Sequence, residues 1–435
     1  AAILMAGACH LAQASTLEGE IDGLIDAHPQ IQAARKSVQS STEAISAARS
    51  GYLPQVHLNS SVGPNFSANE DRNATYGKSF LHDGNGAGVA VTQRVYDGDL
   101  TNSTVDTAIY SKAVSESSLR LTRQNIILEG INAYLDVMRQ SALVGLAREN
   151  EKRLQTQLNL EDERVARGSG MAVDVLAAKH RLQLAKERRV AFEGAQEQAL
   201  DRYLQVYGHA PDVAGAAEPQ PPIDLVPATL AEAVKAAQDD NPSVEVAQRT
   251  VTVANERIRT AEAGYYPTLD VVAKSDYARY QNGVTGLSRD YSVLLQMNWE
   301  LFSGFRTQAQ TAQAAYDHGA SLDNASQAGR KAGEAVRLAW SQLSTAKERL
   351  SLLENAVNLA NEVWVARKKM REAGKATVID VLDSESDITN AQINYVIASY
   401  DLRLAAYSLV HAMGRLEVDA LDRRGPANSS APAVK

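Results

Sequence analysis

The sequence contains few of the residues on which compact enzyme cores depend. Only 5 of its 435 residues are Phe, 3 are Trp and 1 is Cys, and alanine dominates its 44% hydrophobic fraction. Buried cores usually use larger side chains, whereas Ala-, Leu-, Gln- and Glu-rich stretches favour long helices packed at close range. No stretch reaches the ~18 consecutive apolar residues of a membrane-spanning helix. With 52 acidic and 44 basic residues, the net charge of −8 argues against a nucleic-acid partner.

The sequence motifs of catalysis and metal binding are also missing. There is no G-x-S-x-G, no P-loop and no G-x-G-x-x-G, and Gly84-Asn85-Gly86 falls in an expected surface loop. The seven histidines after residue 14 are scattered, without H-E-x-x-H or another paired metal spacing. We therefore predict a protein that is not an enzyme, with no cofactor and no metal site.

The first fourteen residues differ in character from the remainder. They are apolar, carry no Lys or Arg, and end Ala12-Gln13-Ala14, a pattern typical of a signal-peptide cleavage site. We interpret residues 1–14 as the remnant of a secretory signal; the alternative is an ordinary buried N-terminal helix. No leucine stands three residues before Cys9, which argues against a lipoprotein site.

The chain carries an internal duplication. Asp-Val-Leu occurs at residues 174–176 and again at 380–382, an offset of 380 − 174 = 206, and three glycines repeat at that offset: Gly98 and Gly304, Gly168 and Gly374, Gly208 and Gly414. Further upstream, Gly51-Tyr52 matches Gly264-Tyr265 at an offset of 213. The difference, 213 − 206 = 7 residues, predicts a loop between the two registers. A repeat of this size indicates a pseudo-symmetric object.

Heptad spacing predicts long helices in both copies. Apolar residues recur every seven positions in the second copy, with a second set interleaved: Leu343, Leu350, Val357 and Trp364 with Ala346, Leu353 and Ala360. Because no proline lies between Pro267 and Pro426, one helix is predicted over about 304–373, some ~105 Å long. The first copy predicts its equivalent over 100–167. Shorter helices are expected over 172–207 and 377–413, and two more over roughly 17–50 and 229–263.

Four other segments alternate between apolar and polar residues. They lie around 56–62, 89–95, 269–273 and 291–302, with loops expected at about 63–86 and 278–289. Period-2 alternation predicts strands with one apolar face, and runs of about ten residues suit tilted strands that cross a bilayer. Tyrosines cluster at their ends, as at a membrane–water interface. The alternative is a small soluble sheet packed on the helices.

Four such strands cannot close a barrel on their own. An open edge inside lipid leaves unpaired N–H and C=O groups that cost several kcal/mol each, and a polar strand face has no use unless it lines water. No globular core could cover helices of ~105 Å. The pattern therefore predicts several copies assembled into a channel with a membrane end and a long water-facing end.

Short motifs recur at the turns and at the strand ends. Residues 373–383 read AGKATVIDVLD, residues 167–168 and 173–176 read RG and VDVL, residues 52–54 and 265–267 read Tyr-x-Pro, and the strands end YDG (96–98) and FSG (302–304). Across about residues 17–418 the chain resembles the TolC-like outer-membrane exit ducts. The resemblance implies an internally duplicated α+β membrane channel. It would be a homotrimer whose 12-stranded β-barrel, with four strands per chain, is continued by a long α-helical barrel.

The resemblance also implies location, partners and mode of action. Such ducts lie in outer-membrane lipid of Gram-negative bacteria, extend into the periplasm, and are passive. They take cargo from an inner-membrane ABC or other export pump through a periplasmic membrane-fusion adaptor. Residues 412–416 (AMGRL) are similar to the type I secretion branch, so type I protein secretion is the first expectation and multidrug efflux the alternative. From a different class, the alternative is a periplasmic coiled-coil adaptor or scaffold.

Site residues follow from the same resemblance. The motif places gate carboxylates at the closed periplasmic entrance and an adaptor-docking tip at the glycine turns: Asp380, Asp383 and Asp174 for the gate, and Gly168, Gly374, Lys375 and Arg371 for the tip. Ala376 stands where efflux-type ducts carry an arginine. Asp380 and Asp383 share a helix face, and three copies would bring six carboxylates to one constriction, which attracts cations. Because Ala177 stands where the second copy has Asp383, the second copy is predicted to carry the gate.

The predicted organisation of the chain has five parts. They are the signal remnant (1–14), the first repeat (15–213), a Pro-rich linker (214–228), the second repeat (229–418) and a disordered tail (419–435). Each repeat is predicted to contain a helix, a β-hairpin and a long helical hairpin.

Overall fold

The computed structural model describes residues 16–67, 80–212, 218–281 and 286–418. The predicted signal segment, Cys9 and the predicted tail lie outside these residues. The chain divides into two compact units. The first takes its residues from the ranges 1–35, 118–244 and 328–435, and the second from 36–117 and 245–327. In the described part of the chain, no helix is both long and apolar enough to span a membrane.

Both repeats contain the same elements in the same order. The first has α1 (Leu17–Ala27), α2 (Pro29–Arg49), β1 (Gln55–Ser67), β2 (Phe80–Tyr96), α3 (Leu100–Ala166) and α4 (Ala172–Tyr207). The second has α5 (Leu230–Asp240), α6 (Pro242–Glu262), β3 (Thr268–Arg279), β4 (Leu287–Asn298), α7 (Arg306–Glu372) and α8 (Val378–Ala412). The predicted long helices, α3 and α7, are confirmed, and each is 67 residues long.

The helices predicted over 17–50 and 229–263 were wrong in one respect, because each is two helices. His28 and Asn241 have extended backbone, with ψ of 127° and 121°. Each precedes a proline, Pro29 or Pro242, whose ring disfavours the helical conformation in the residue before it. The same proline then begins the next helix, where its missing N–H costs no hydrogen bond.

The four strands form one antiparallel sheet in the order β1-β2-β3-β4. The loop expected at 63–86 is wrong, since β1 and β2 remain paired as far as Ser67 and Phe80. Gly84 in this span allows a close approach of the chain rather than a turn. A Cβ on Gly84 would lie 2.6 Å from the carbonyl oxygen of Tyr280, so a side chain there would push away the residue that follows β3.

The register gives the sheet one apolar and one polar face. One row across the strands is Val56, Val91, Ala273 and Val293, and the adjacent row is His57, Ala90, Lys274 and Ser292. Successive side chains on a strand point to opposite faces. The apolar row at Val56 and Val293 is exposed in the single chain, so the predicted alternation is confirmed, and none of the described residues covers this apolar face.

The start of the predicted heptad pattern of α7 lies in the first unit's core. Leu343 and Ala346 are buried there, together with residues of α1, α3 and α8. The AMGRL motif belongs to the same core, since Met413 and Leu416 are buried and the Gln124 amide donates to the Gly414 carbonyl at 2.7 Å. This motif therefore has a packing role within the chain.

Candidate functional site

The two glycine turns end the long helices in the same way. Gly168 and Gly374 have φ of 73° and 72°, a left-handed conformation that glycine adopts at little cost. The N–H of Ser169 donates to the Arg164 carbonyl at 3.0 Å, and at the second turn the Lys375 N–H donates to the Met370 carbonyl at 2.8 Å. Both turns thus have the hydrogen bonds of a Schellman motif, and each returns the chain directly into α4 or α8.

Asp380 is part of the N-terminal cap of α8. Its backbone N–H donates to the Thr377 hydroxyl at 3.2 Å, and its carboxylate accepts from the Thr377 N–H at 2.8 Å. This reciprocal pair is a capping box. The Thr377 hydroxyl and N–H together hold the pKa of Asp380 below its ordinary value, and the Arg367 guanidinium lies 3.8 Å from the carboxylate. Asp380 is therefore a fixed, ionised carboxylate that remains partly exposed.

Asp383 lies one helical turn beyond and is exposed. Its carboxylate accepts from the Arg181 guanidinium of α4 at 2.5 Å. Seven residues further along both helices, Arg188 donates to the Asn390 side chain at 2.7 Å. The two contacts thus join α4 and α8 at positions that are one heptad apart on both helices. The predicted gate residue is thus tied to the first repeat by an arginine that no sequence motif identified.

Asp174, the predicted counterpart of Asp380, has a different environment. It is only 7% exposed, and the residue at the cap of α4 is Met171, which makes no side-chain cap hydrogen bond. The structure therefore brings Asp380 and Asp383 to one partly exposed helix start, and it buries Asp174 within its own chain.

The predicted tip residues separate into two kinds. Lys375 is exposed next to Gly374. Arg371 instead points to Glu161 of α3, 3.3 Å away, and Glu161 is 1% exposed. The Glu161 carboxylate also accepts from Arg164 at 2.8 Å and from Gln157 at 2.9 Å. Arg371 thus joins the two helical hairpins within the chain.

A second polar link joins α3 and α8 two turns further from the tip. Glu385 is 5% exposed, and burial raises its pKa, although Arg153 opposes this effect from 3.2 Å. Arg153 also donates to Thr389, whose hydroxyl donates to Asn150 at 3.1 Å. None of these residues belongs to a sequence motif. Among the described residues, no group of three or more His, Cys, Asp or Glu side chains could hold a metal ion.

Comparison with known proteins matches both repeats. A family model described as Outer membrane efflux protein matches residues 21–209 and 233–415. The chain is 25% identical over 425 residues to the Outer membrane efflux protein BepC of Brucella suis, and this alignment covers 97% of this chain and 91% of BepC. The chain is also 25% identical over 294 residues to the Alkaline protease secretion protein AprF of Pseudomonas aeruginosa, and this alignment covers 66% of this chain and 61% of AprF.

The fold also matches solved structures of outer-membrane proteins. The crystal structure of the outer membrane protein VceC from Vibrio cholerae superposes with a TM-score of 0.78 at 16% sequence identity, covering 92% of this chain and 96% of VceC. The predicted α+β channel fold is confirmed by this likeness together with the described helices and four-stranded sheet. Since the family model covers well over half of the residues, the chain belongs to the outer membrane efflux protein family.

Proposed function

We propose that three copies of this chain form the exit duct of a type I protein secretion system, with Asp380 and Asp383 lining its periplasmic entrance. The family makes the chain a passive outer-membrane exit duct and not an enzyme. Membership of this family also excludes the alternative that the chain is a periplasmic coiled-coil adaptor or scaffold. The further steps, to protein cargo, to a trimer and to a gate, are our proposal.

One structural observation supports the assignment of Asp380 and Asp383 as gate residues. At the Gly374 turn, α8 begins with two carboxylates one helical turn apart, both of which reach solvent. The first repeat has no such pair, because Asp174 is buried and Ala177 stands where the second repeat has Asp383. Three copies would place six like charges near one axis, where they attract cations and repel one another. An entrance built this way is narrow, acidic and able to respond to the adaptor that docks beside it.

Two relatives support different cargo. AprF is named for the secretion of a protease. The AMGRL motif at 412–416 is similar to the type I secretion branch of the family. BepC, which matches over more of this chain, is named for efflux. Efflux of small molecules is therefore the second candidate function, and the two candidates predict different exported material.

Expression in a Gram-negative host that lacks its own duct tests the cargo. The chain is supplied once with the adaptor, pump and protein substrate of a type I system, and once with the adaptor and pump of a drug-efflux system. We expect extracellular protein to appear in the first case and drug sensitivity to persist in the second. Restored resistance without protein in the medium would instead assign efflux. The empty vector is the control in both.

A further inference from the structure

The ends of β3 and β4 that adjoin their connecting turn carry charges of both signs. Asp276 of β3 pairs with Asp290 of β4, and Tyr277 pairs with Arg289. Arg279 follows Tyr277 by two residues on β3. Residues opposite each other on paired strands share a face, and neighbours along a strand alternate between faces. The two aspartates therefore lie on one face of the sheet, and the two arginines lie on the other.

The arginines lie on the apolar face. Arg289 is four residues from Val293, and Arg279 is six residues from Ala273, both members of the apolar row. An even spacing keeps a side chain on the same face of a strand. The aspartates stand at odd spacings from the same row, so they lie on the polar face. The charges at this end of the sheet are thus separated by sign, with the cations at the margin of the apolar surface.

Neither arginine is neutralised within the described part of the chain. Both residues are exposed, and neither forms an ion pair with a carboxylate of the described residues. Asp83 of β2 shares their face but is not paired with either of them. On the polar face, by contrast, Arg94 forms an ion pair with Asp270 at 3.1 Å. Neighbouring like charges repel each other, so an anion that met both arginines would be attracted to this place.

Arg279 is held by an aromatic side chain. Its guanidinium lies 5.1 Å from the centre of the Tyr280 ring, a cation–π contact in which the N–H donors at the edge of the guanidinium stay available. Tyr280 is itself fixed, because its N–H donates to the Gly286 carbonyl at 3.1 Å and its carbonyl oxygen lies close against Gly84. Arg279 therefore presents its donors from a defined position.

The register places the two arginines side by side at the end of the apolar surface. They are diagonal neighbours on paired strands, ~7–8 Å apart and within reach of each other's side chains. From Met297 to Arg289, β4 covers ~26 Å along the strand. Tilted by ~40°, this length spans ~20 Å of the ~25 Å apolar band of an outer-membrane barrel. The guanidinium groups therefore lie at the margin of the band that is remote from the helices.

The pair of arginines belongs to the second repeat alone. At the offsets of the internal duplication, Arg279 corresponds to Phe66 (279 − 213 = 66) and Arg289 to Asp83 (289 − 206 = 83). The first hairpin thus has an aromatic ring and a carboxylate where the second has two guanidinium groups. Two cations are therefore not a general requirement of this margin of the sheet.

We propose that Arg279 and Arg289 bind a phosphate group of the phosphorylated lipid in the outer leaflet of the outer membrane. The family places the chain in that membrane with its helices in the periplasm, so the end of the sheet remote from the helices meets the outer leaflet, where the lipid is lipopolysaccharide. A guanidinium matches phosphate oxygens with two parallel N–H donors. The apolar rows beside the pair contact the acyl chains, while the aspartates face water.

This site adds to the proposed function without depending on its cargo or its gate. It requires only the outer-membrane location and an apolar face in contact with lipid. Basic side chains beside a membrane are a common means of recognising lipid phosphates. The lipid would hold the β3–β4 hairpin at a defined depth in the membrane.

Binding of lipopolysaccharide to the purified full-length protein in detergent tests the site. Arg279→Gln with Arg289→Gln should weaken binding at least about tenfold, because the charge-assisted hydrogen bonds to phosphate are lost. Arg279→Lys with Arg289→Lys keeps both charges and should recover part of the affinity. As a matched pair, Arg289→Gln and Lys274→Gln each remove one positive charge from the same hairpin, on opposite faces. Only Arg289→Gln should weaken binding.

The outcomes also identify the source of the phosphate. Lipid A stripped of its phosphates should bind the unmodified protein no better than lipopolysaccharide binds the double glutamine variant. Equal binding of the stripped lipid would show that acyl contacts suffice, and equal loss from Lys274→Gln would show a general charge effect; either result overturns the inference. Displacement by an equal concentration of inorganic phosphate would make this a free-phosphate site and overturn the lipid assignment. Protein export is measured separately in cells, so failure of one proposal is distinguishable from failure of the other.

Discussion

Single residues explain why two neighbouring aspartates at the start of α8 are held so differently. Asp380 is fixed by its own helix start, where the Thr377 hydroxyl and N–H hold its pKa below the ordinary value of 3.8. Asp383 is instead held by Arg181 of the other hairpin. One carboxylate of the proposed gate thus depends on local capping, and the other depends on how the first repeat packs against the second.

Removing both charges tests the proposed gate. Asp380→Asn together with Asp383→Asn keeps side-chain size but removes two charges per copy. We expect block of the channel by a trivalent cation to be lost, because a ring of carboxylates is what attracts the ion. Conductance in planar bilayers, with the cation added on the periplasmic side, measures this. Glu372→Gln removes an exposed carboxylate beside the same turn and should keep the block. Undiminished block in the double variant would rule the gate out.

The sequence predicts these carboxylates better than it predicts their partners. Asp380 and Asp383 stand in a short continuous motif, so a local pattern is enough to find them. Arg181 lies 202 residues from Asp383, and only the packing of α4 on α8 brings them together. One signal was available, since Arg181 and Arg188 have the same seven-residue spacing as Asp383 and Asn390. Such spacing identifies a pair only once the register of the two helices is known.

At the scale of helices, α3 and α8 are joined by a buried polar link. Glu385 of α8 and Arg153 of α3 form an ion pair with one nearly buried member. The equivalent positions at an offset of 206 are Lys179 and Leu359, so the link exists once per chain. Breaking one half of a buried pair is costly because the remaining charge is left in a low-dielectric site.

The Glu385 link predicts a pH-dependent contribution to stability. Because the folded chain raises the pKa of Glu385 above 4.5, its contribution is fully present below pH 4.5 and is lost as the pH rises through the folded pKa. The thermal unfolding midpoints of the unmodified protein and of Glu385→Gln are measured from pH 4.5 to 8. We expect the unmodified protein to have the higher midpoint, and the difference between the two to be largest at pH 4.5. Glu149→Gln removes the exposed partner of the same arginine and should change the midpoint little. A difference that grows toward pH 8 would contradict this.

Local residue signals misled the prediction of elements in two opposite ways. The helices over 17–50 and 229–263 are predicted as continuous, yet Pro29 and Pro242 each separate two helices because the residue before the proline is extended. Gly84 is predicted in a loop, yet it lies within β2, paired with Gly63 of β1, and a side chain there would meet the Tyr280 carbonyl oxygen. The long helices were predicted correctly, since heptad spacing and the absence of proline act over many turns. The ends of the shorter helices and strands depend instead on single residues and on contacts with other parts of the chain.

At the scale of the whole molecule, the four-stranded sheet of the described residues is open at both edges. Among the residues that the structure describes, nothing covers its apolar face, and its edges β1 and β4 have no partner strand. Unpaired backbone groups are not tolerated in lipid. The family places the chain in the outer membrane, and in the duct proposed above the apolar face meets hydrocarbon while the edges pair with other copies. The sequence predicts the two faces from alternation, because side-chain period and register are strictly linked in strands, and it predicts an assembly from the open edges that four strands leave.

Adjacent arginine substitutions test which face of β4 meets lipid. Leu295 lies on the apolar face and is 70% exposed, and Gln296 lies on the polar face opposite Asp270. Leu295→Arg should cost up to about 2–4 kcal/mol, because an arginine on the lipid face loses its hydration. We therefore expect Leu295→Arg to reduce the heat-modifiable trimer recovered from outer membranes. Gln296→Arg, at nearly the same depth, should leave it unchanged, since its side chain faces water and a carboxylate. Equal loss from both variants would mean that neither face meets lipid alone, and the assignment of the sheet would fail.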